Sequence, residues 1–186
     1  AEQLTKHGSD GWLTPDACCK LLDAYGIKRV KQYEAKTSQE AASAADKIGS
    51  PVALKGIAAG LLHKSEVGAV RVGLSGAARV AQEAGEMIKR ITEHGYVFSH
   101  FVVQQMAPVG VEMIVGSVLD KKFGPVVVVG AGGILSELVN DIAVRLPPIS
   151  PESAANVLTE LRSDRLLKGF RGAEPADRRS LEDLIV

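Results

Sequence analysis

Apolar residues recur at positions 77, 80, 81, 84, 87, 88 and 91, a spacing that lines one face of an α-helix and predicts a helix over 75–93. Upstream, Thr14-Pro15 pairs a hydroxyl N-cap with proline at the first helical position. Cys18, Leu21, Leu22 and Tyr25 then share a face before Gly26 ends that helix. Thr37 and Glu40 have capping-box spacing and open an alanine-rich helix that runs to Ile48 and stops at Gly49. Short apolar runs predict strands at 33–35, 51–55 (ending on Lys55), 70–74, 101–106, 112–119, 126–129 and 143–146. Gly124-Pro125 turns one of these into the next, a hairpin over 112–129. Ser150-Pro151 repeats the hydroxyl-then-proline start, and Ala154, Val157, Leu158 and Leu161 carry that helix on. Residues 1–12 are polar and read as a linker or flexible arm, and residues 181–186 as a helix still in progress. Strands and helices follow one another without a repeat, which favours an α+β or mixed α/β fold over a purely parallel doubly wound sheet.

Composition narrows the function. A chain of 186 residues, 46% hydrophobic, can bury one large core or two small ones. Its 22 basic and 22 acidic residues cancel, so nothing draws it electrostatically to nucleic acid or to an anionic membrane. Aromatic residues make up 4%, too few for a base-stacking platform. The longest apolar run, 126–129, is far too short to span a bilayer, and the first residues lack a signal-peptide pattern. Cys18 and Cys19, the only cysteines, are neighbours; they suit neither a disulfide nor a zinc site and point to a reducing, cytoplasmic setting. Ala1 and the uncapped final helix read as the limits of a piece cut from a longer chain.

Several residues are candidates for chemistry. Lys55, at the end of an apolar strand, can place an ammonium against nucleotide phosphates, or can be an ordinary surface lysine. His63-Lys64-Ser65 stands in a loop between Gly60 and Gly68; a neutral imidazole there can accept a phosphoryl group, or can simply be solvated. His7, His94 and His100 read as a tail residue, a helix-end residue and a surface residue. Glu137 and Asp141, four apart beyond a glycine-rich turn, can share a Mg²⁺ or form a solvated acidic pair. Arg145, four further on, can pair with Asp141 or clamp phosphate oxygens. Gly130-Ala131-Gly132-Gly133 can bring backbone N–H groups to an anion, but it is neither a Rossmann nor a P-loop motif. Glu112 is a candidate for ribose or metal contact. The 102–106 segment is a candidate adenine-reading hinge, with Met106 against the ring or plainly in the core.

Taken in order, Pro51-Val52-Ala53-Leu54-Lys55, His63-Lys64-Ser65-Glu66-Val67-Gly68, Val103-Gln104-Gln105-Met106, Glu112-Met113-Ile114-Val115-Gly116, Phe123-Gly124-Pro125-Val126, Gly132-Gly133-Ile134, then Glu137, Asp141 and Arg145 resemble the ATP-grasp subunit of NDP-forming acyl-CoA synthetases, the ADP-forming acetate–CoA ligases. Leu167-Lys168-Gly169-Phe170-Arg171-Gly172, with Pro175 and Asp177, is similar to that family too, so the likeness runs from about Leu13 to Val186. It implies an ATP-grasp fold over 13–186, with α+β lobes around 26–103 and 104–186 gripping ATP. It implies a reversible reaction of acyl-CoA, ADP and phosphate to acid, CoA and ATP, relayed by phosphohistidine. A CoA-binding subunit or domain would be the partner, in an oligomeric enzyme. By resemblance Lys55 binds ATP phosphates, Gln104, Gln105, Met106 and Ala107 face adenine, Glu137 and Asp141 hold Mg²⁺, and His63 is the loop histidine proposed as a second phosphate carrier. Two positions depart from the family: Gln105 replaces a usual glutamate and Ala69 a usual glycine. A further alternative is a non-catalytic, ligand-sensing module of the kind found fused to acetyltransferases. A succinyl-CoA synthetase β subunit suits the His-Lys-Ser loop less well.

Overall fold

The computed structural model describes residues 13, 15–49, 51–61, 63–133 and 139–186. Residues 1–12, Thr14, Ile134 and Glu137, which carry the predicted arm, helix cap, motif end and metal ligand, lie outside these. The chain divides into two compact units, Ala1–Pro108 and Val109–Val186, each with its own core.

The N-terminal lobe runs α1 (Pro15–Ala24), β1 (Gln32–Ala35), α2 (Ser38–Ile48), β2 (Val52–Ala58), β3 (Val70–Leu74), α3 (Ala77–Glu93) and β4 (Phe98–Gln105). Its strands form one antiparallel sheet in the order β1-β4-β2-β3. Cross-strand partners share a face, so the register assigns the side chains. Ala35, Val52, Leu54, Phe101 and Val103 enter a core with Ala41, Ala44 and Ala45 of α2 and Val80, Ala84, Met87 and Ile91 of α3. Gln32, Ala53, Lys55, Val102 and Gln104 stand on the opposite face. Thr37 Oγ1 accepts from the Glu40 amide at 3.1 Å, while the Glu40 carboxylate reaches past the cap to the Lys36 amide at 2.7 Å. This is a capping box shifted by one residue.

At Gly56 helix α3 comes close to the sheet. A Cβ there would stand 2.5 Å from Ile91 Cδ1 and 3.1 Å from Met87 Sδ, both on fully buried side chains. Gly56→Ala should therefore cost about 1–3 kcal/mol by overpacking. Urea unfolding checks this, and a midpoint equal to that of the unsubstituted chain would contradict it.

The inward face expected for α1 is corrected by the structure. Tyr25 is 77% exposed and Cys18 is exposed, whereas Ala17 is buried and Leu21 and Leu22 half-buried. The buried face of α1 is thus turned by about one position, because its neighbour is the Gln32 end of β1, where Gln32 Nε2 donates to Cys19 Sγ at 2.9 Å. In α3, Glu83 is 3% exposed within an otherwise apolar stripe.

The C-terminal lobe runs β5 (Met113–Asp120), β6 (Gly124–Ala131), β7 (Ile142–Arg145), α4 (Pro151–Glu160), α5 (Asp164–Leu167) and α6 (Arg178–Ile185). The strands form an antiparallel meander whose β5–β6 hairpin turns at Gly124, φ +75°. Val129, Ala143, Ala154, Val157, Leu158, Leu167 and Ile185 build its core. Ser150 caps α4 by accepting from the Ser153 amide at 3.1 Å. The 167–177 motif works as a tight return: Gly169 (φ +85°) has the Ala173 carbonyl where a side chain would sit, and Asp177 caps α6 through the Ser180 amide. Among the described residues no helix is long and apolar enough to cross a membrane.

Candidate functional site

Lys55 is not at the end of its strand, as its sequence suggests, but at the fourth residue of the seven-residue β2. The strand continues because Gly56, Ile57 and Ala58 keep pairing with β4. The ammonium is half-buried and donates to Gln104 Oε1 at 2.7 Å. Gln104 Nε2 in turn donates to Gln32 Oε1 at 3.0 Å, and Gln32 to Cys19. This chain of neutral groups crosses β2, β4 and β1 and fixes which way the Gln104 amide points. No carboxylate pairs with Lys55 among the described residues. Burial, and then the charge of Lys64, hold its pKa below the ordinary lysine value. An ammonium kept from water, beside a second cation and without a counter-charge, is electrostatically prepared for an anion.

Lys64 belongs to the 61–69 loop. His63 next to it has an exposed side chain whose Nδ1 is 3.8 Å from Glu66 Oε1. Internal bonds fold the loop: the Glu66, Gly68 and Ala69 amides donate to the His63, Ser65 and Lys64 carbonyls. Ala69 is fully buried and bonded on both sides, since its amide donates to the Lys64 carbonyl and the Gly56 amide donates to its own carbonyl, both at 2.8 Å.

At the end of β4, Gln105 is exposed, Met106 half-buried and Ala107 exposed. The Gln105 amide donates to the Lys31 carbonyl at 2.8 Å, and the Met106 amide to the Pro51 carbonyl at 3.3 Å. His100, expected on the surface, keeps only 21% of its side chain exposed. Its Nε2 is buried without a hydrogen-bond partner among the described residues, 3.8 Å from Glu34 Oε1.

In the C-terminal lobe the glycine-rich turn accommodates the chain's own glutamate. The Gly132 amide donates to the Glu112 carbonyl at 2.7 Å. At Gly133 (φ +58°) the Glu112 carboxylate lies where a side chain would be. Glu112 itself is exposed. Asp141 is 7% exposed and accepts from the Arg162 and Ser163 amides, both at 2.8 Å. Burial alone would raise its pKa. The bonds from Ser163 and Arg162 outweigh burial and hold the carboxyl below the ordinary range. With Ala131, Val139, Arg162, Ser163 and Leu166 it lines a cavity of about 150 Å³. Each carboxylate oxygen uses one lone pair on an amide and keeps another. An ionised, oriented carboxylate with spare lone pairs fits Mg²⁺, which takes few protein ligands besides water and phosphate. Among the described residues no group of three His, Cys, Asp or Glu could hold a metal ion. Arg145 does not pair with Asp141. Its guanidinium forks onto the Glu160 carboxylate of α4 and donates to the Val144 carbonyl.

The sequence is matched over residues 4–186 by a family model described as ATP-grasp domain. The chain belongs to the ATP-grasp family. Acetate–CoA ligase (ADP-forming) I subunit beta of Pyrococcus furiosus is 31% identical over 173 residues, covering 90% of this ATP-grasp chain and 73% of that subunit. The 4-hydroxybutyrate–CoA ligase (ADP-forming) of Nitrosopumilus maritimus is 33% identical over 168 residues, 89% of this chain. The chain spans about a quarter of that relative, 24% of its length. Among solved structures, Ca. Korarchaeum cryptofilum dinucleotide-forming acetyl-coenzyme A synthetase 1, in complex with coenzyme A, Ca-AMPCP and HgCl+, superposes with a TM-score of 0.85. Its identity is 34%, over 91% of this chain and 75% of that one. The same synthetase with coenzyme A and Mg-AMPPCP has its phosphohistidine segment pointing towards the nucleotide binding site (TM-score 0.79, 34% identity, 93% and 75% covered). The α+β ATP-grasp fold expected from the sequence is thus the fold observed. What sequence reasoning missed are Gln32, Glu83 and Arg90. Gln32 and Gln104 are 72 positions apart, and only strand pairing joins them.

Proposed function

We propose that this chain is the nucleotide-binding part of an ADP-forming acyl-CoA synthetase. It holds Mg-ATP or Mg-ADP, exchanges a phosphoryl group through phosphohistidine, and works with a CoA-binding subunit or domain in a cytoplasmic oligomer. The observation that carries this reading is Lys55, a half-buried ammonium oriented by Gln104 and left without an acidic partner among the described residues. Its charge would hold phosphate oxygens, and Lys64 would add a second cation. Gln104 has a direct bond to that ammonium; Gln105, Met106 and Ala107 would supply the adenine side and Glu112 a ribose or metal contact. Asp141, with Glu137, would hold Mg²⁺, which when bound neutralises phosphate charge. Arg145, engaged by Glu160, would reach a phosphate only by giving up that ion pair. His63 has an exposed imidazole in the 61–69 loop and would carry the phosphoryl group between sites. Phosphoryl transfer needs in-line approach and charge neutralisation rather than covalent help from many residues, which suits the two ammonium groups of the N-terminal lobe.

Calorimetric titration with Mg-ADP is the direct test. Saturable, Mg-dependent binding is expected, and no heat of binding at millimolar nucleotide would sink the reading.

A further inference from the structure

Glu83 has no place in the functional reading above, yet it is the most unusual side chain of the N-terminal lobe. It is a carboxylate 3% exposed on the apolar face of α3, where an unpaired charge would be strongly disfavoured. Two arginines meet it: Arg71 of β3, whose Nε donates at 3.1 Å, and Arg90, about two turns further along α3, whose Nη2 donates to the same oxygen. Burial would raise the pKa of Glu83. The guanidiniums of Arg90 and Arg71 outweigh it and keep the carboxyl below its ordinary value.

Arg90 faces the other way as well. Its Nε donates to the Gly68 carbonyl at 3.3 Å, and Nη1 stands 3.8 Å from Glu86 Oε2. The arginine stem occupies the space a side chain at 68 would fill. A Cβ on Gly68, whose φ is +64°, would meet Arg90 Nε at 3.0 Å and Cδ at 3.2 Å. Glycine at 68 therefore serves a close approach of loop backbone to helix side chain as well as a left-handed turn. One residue later, the Ala69 amide holds the Lys64 carbonyl, and the Ala69 carbonyl holds the Gly56 amide next to Lys55. A continuous path of bonds thus leads from Glu83 through Arg90 and Gly68 to Lys64 and the strand that bears Lys55.

We infer that Glu83 is a positioning residue for the phosphate site: acting through Arg90, it fixes the root of the 61–69 loop at Gly68 and so sets where Lys64 stands relative to Lys55. The inference rests on the proposed nucleotide role only for the word phosphate; the anchorage itself is read from the lobe alone. Glu83 acts through Arg90 and the loop, so truncating it should loosen the loop before it loosens the sheet.

The test uses the whole chain and two readouts, native-state amide exchange and Mg-ADP titration. Arg90→Leu should speed exchange of the Gly68 and Ala69 amides about tenfold, the loss of roughly one hydrogen bond's restraint, while amides of α3 and β4 stay as they were. It should also weaken Mg-ADP binding several-fold. Glu83→Gln should do the same to a lesser degree, and Arg90→Lys, which keeps the charge but cannot reach Glu83 and Gly68 together, should fall between. Should Arg90→Leu unfold the lobe, so that all amides exchange together, Arg90→Lys and Glu83→Gln decide, since each keeps a polar side chain of similar length in place. Unchanged exchange at Gly68 and Ala69 in these variants would overturn the anchorage. Faster exchange with unaltered Mg-ADP affinity would overturn the positioning role. Failure of the unsubstituted chain to bind Mg-ADP would remove the proposed function, and the exchange readout would then decide the anchorage by itself.

Discussion

Lys55→Met should abolish most nucleotide binding and leave the protein at least as stable as before. A charge-assisted contact from an ammonium to a phosphate is worth about 1.5–3 kcal/mol, so Mg-ADP affinity should fall by about 100-fold. Stability moves the other way because burial, and then the Lys64 charge, depress the pKa of Lys55 in the folded chain. The unfolded chain then holds this proton more tightly than the folded one, so charged Lys55 opposes folding. That opposition is complete below the lowered folded value, fades as pH rises from there to the ordinary lysine value, and is gone above it. Methionine keeps the stem without the charge. At neutral pH the melting temperature should equal or exceed that of the unsubstituted chain, and above about pH 11, beyond the ordinary lysine pKa, any excess should vanish. A variant that binds nucleotide normally, or that melts several degrees lower at neutral pH, would refute this account. Lys55→Arg should not restore binding, since a planar fork does not replace a point charge among the Gln104 and Gln32 amides.

The second large effect is expected at Asp141. Its carboxylate is the acceptor for two backbone amides at the entrance to α5, that of buried Ser163 and that of part-buried Arg162. Asp141→Ala leaves both without a partner and should cost about 2–4 kcal/mol. Asp141→Asn presents an NH₂ group to one of the two donors and should cost somewhat less. Its folded pKa is depressed, so the carboxylate's contribution is present above the ordinary aspartate value and is lost as pH falls through the lower folded one. The gap in unfolding free energy between the unsubstituted chain and Asp141→Asn should therefore be constant from neutral pH to about pH 5 and close below about pH 4. Chemical denaturation across that range reads it directly; a gap that widens in acid would be the wrong sign. If Asp141 also holds Mg²⁺, either variant loses the Mg-dependence of nucleotide binding.

These two residues show what sequence can and cannot disclose. Lys55 is conspicuous as a charge in an apolar run, and Asp141 as an acid just before a strand. Periodicity likewise located α3, whose stripe places Val80, Ala84, Met87 and Ile91 in the core. What periodicity could not disclose was that Glu83 shares that core, because the charges that make its burial tolerable come from Arg71 and Arg90. The orientation of α1 was misread for a related reason: on a short helix, which face is inward depends on the surface it meets, here marked by the Cys19–Gln32 contact. Of the two partners expected for Arg145, Asp141 is not the one it meets: Glu160, 15 positions away on the next helix, engages it. The glycine run at 130–133 looked like a cradle for an external anion, whereas Gly132 and Gly133 are crowded by Glu112. Each misreading concerns a partner distant in sequence, which no local pattern encodes.

The strand order of the N-terminal lobe also bears on its birth. β4 lies between β1 and β2, so the last strand synthesised is the one that both of its neighbours require. Until residue 105 has left the ribosome, β1 has no partner and β2 has only β3. The nascent lobe must therefore wait, with apolar Val52 and Leu54 uncovered on one side, for closure across more than forty residues. The meander of the C-terminal lobe pairs each strand with the one before it and can form as it emerges. Translation speed through codons 98–105 is therefore where synthesis rate should most affect the yield of folded chain.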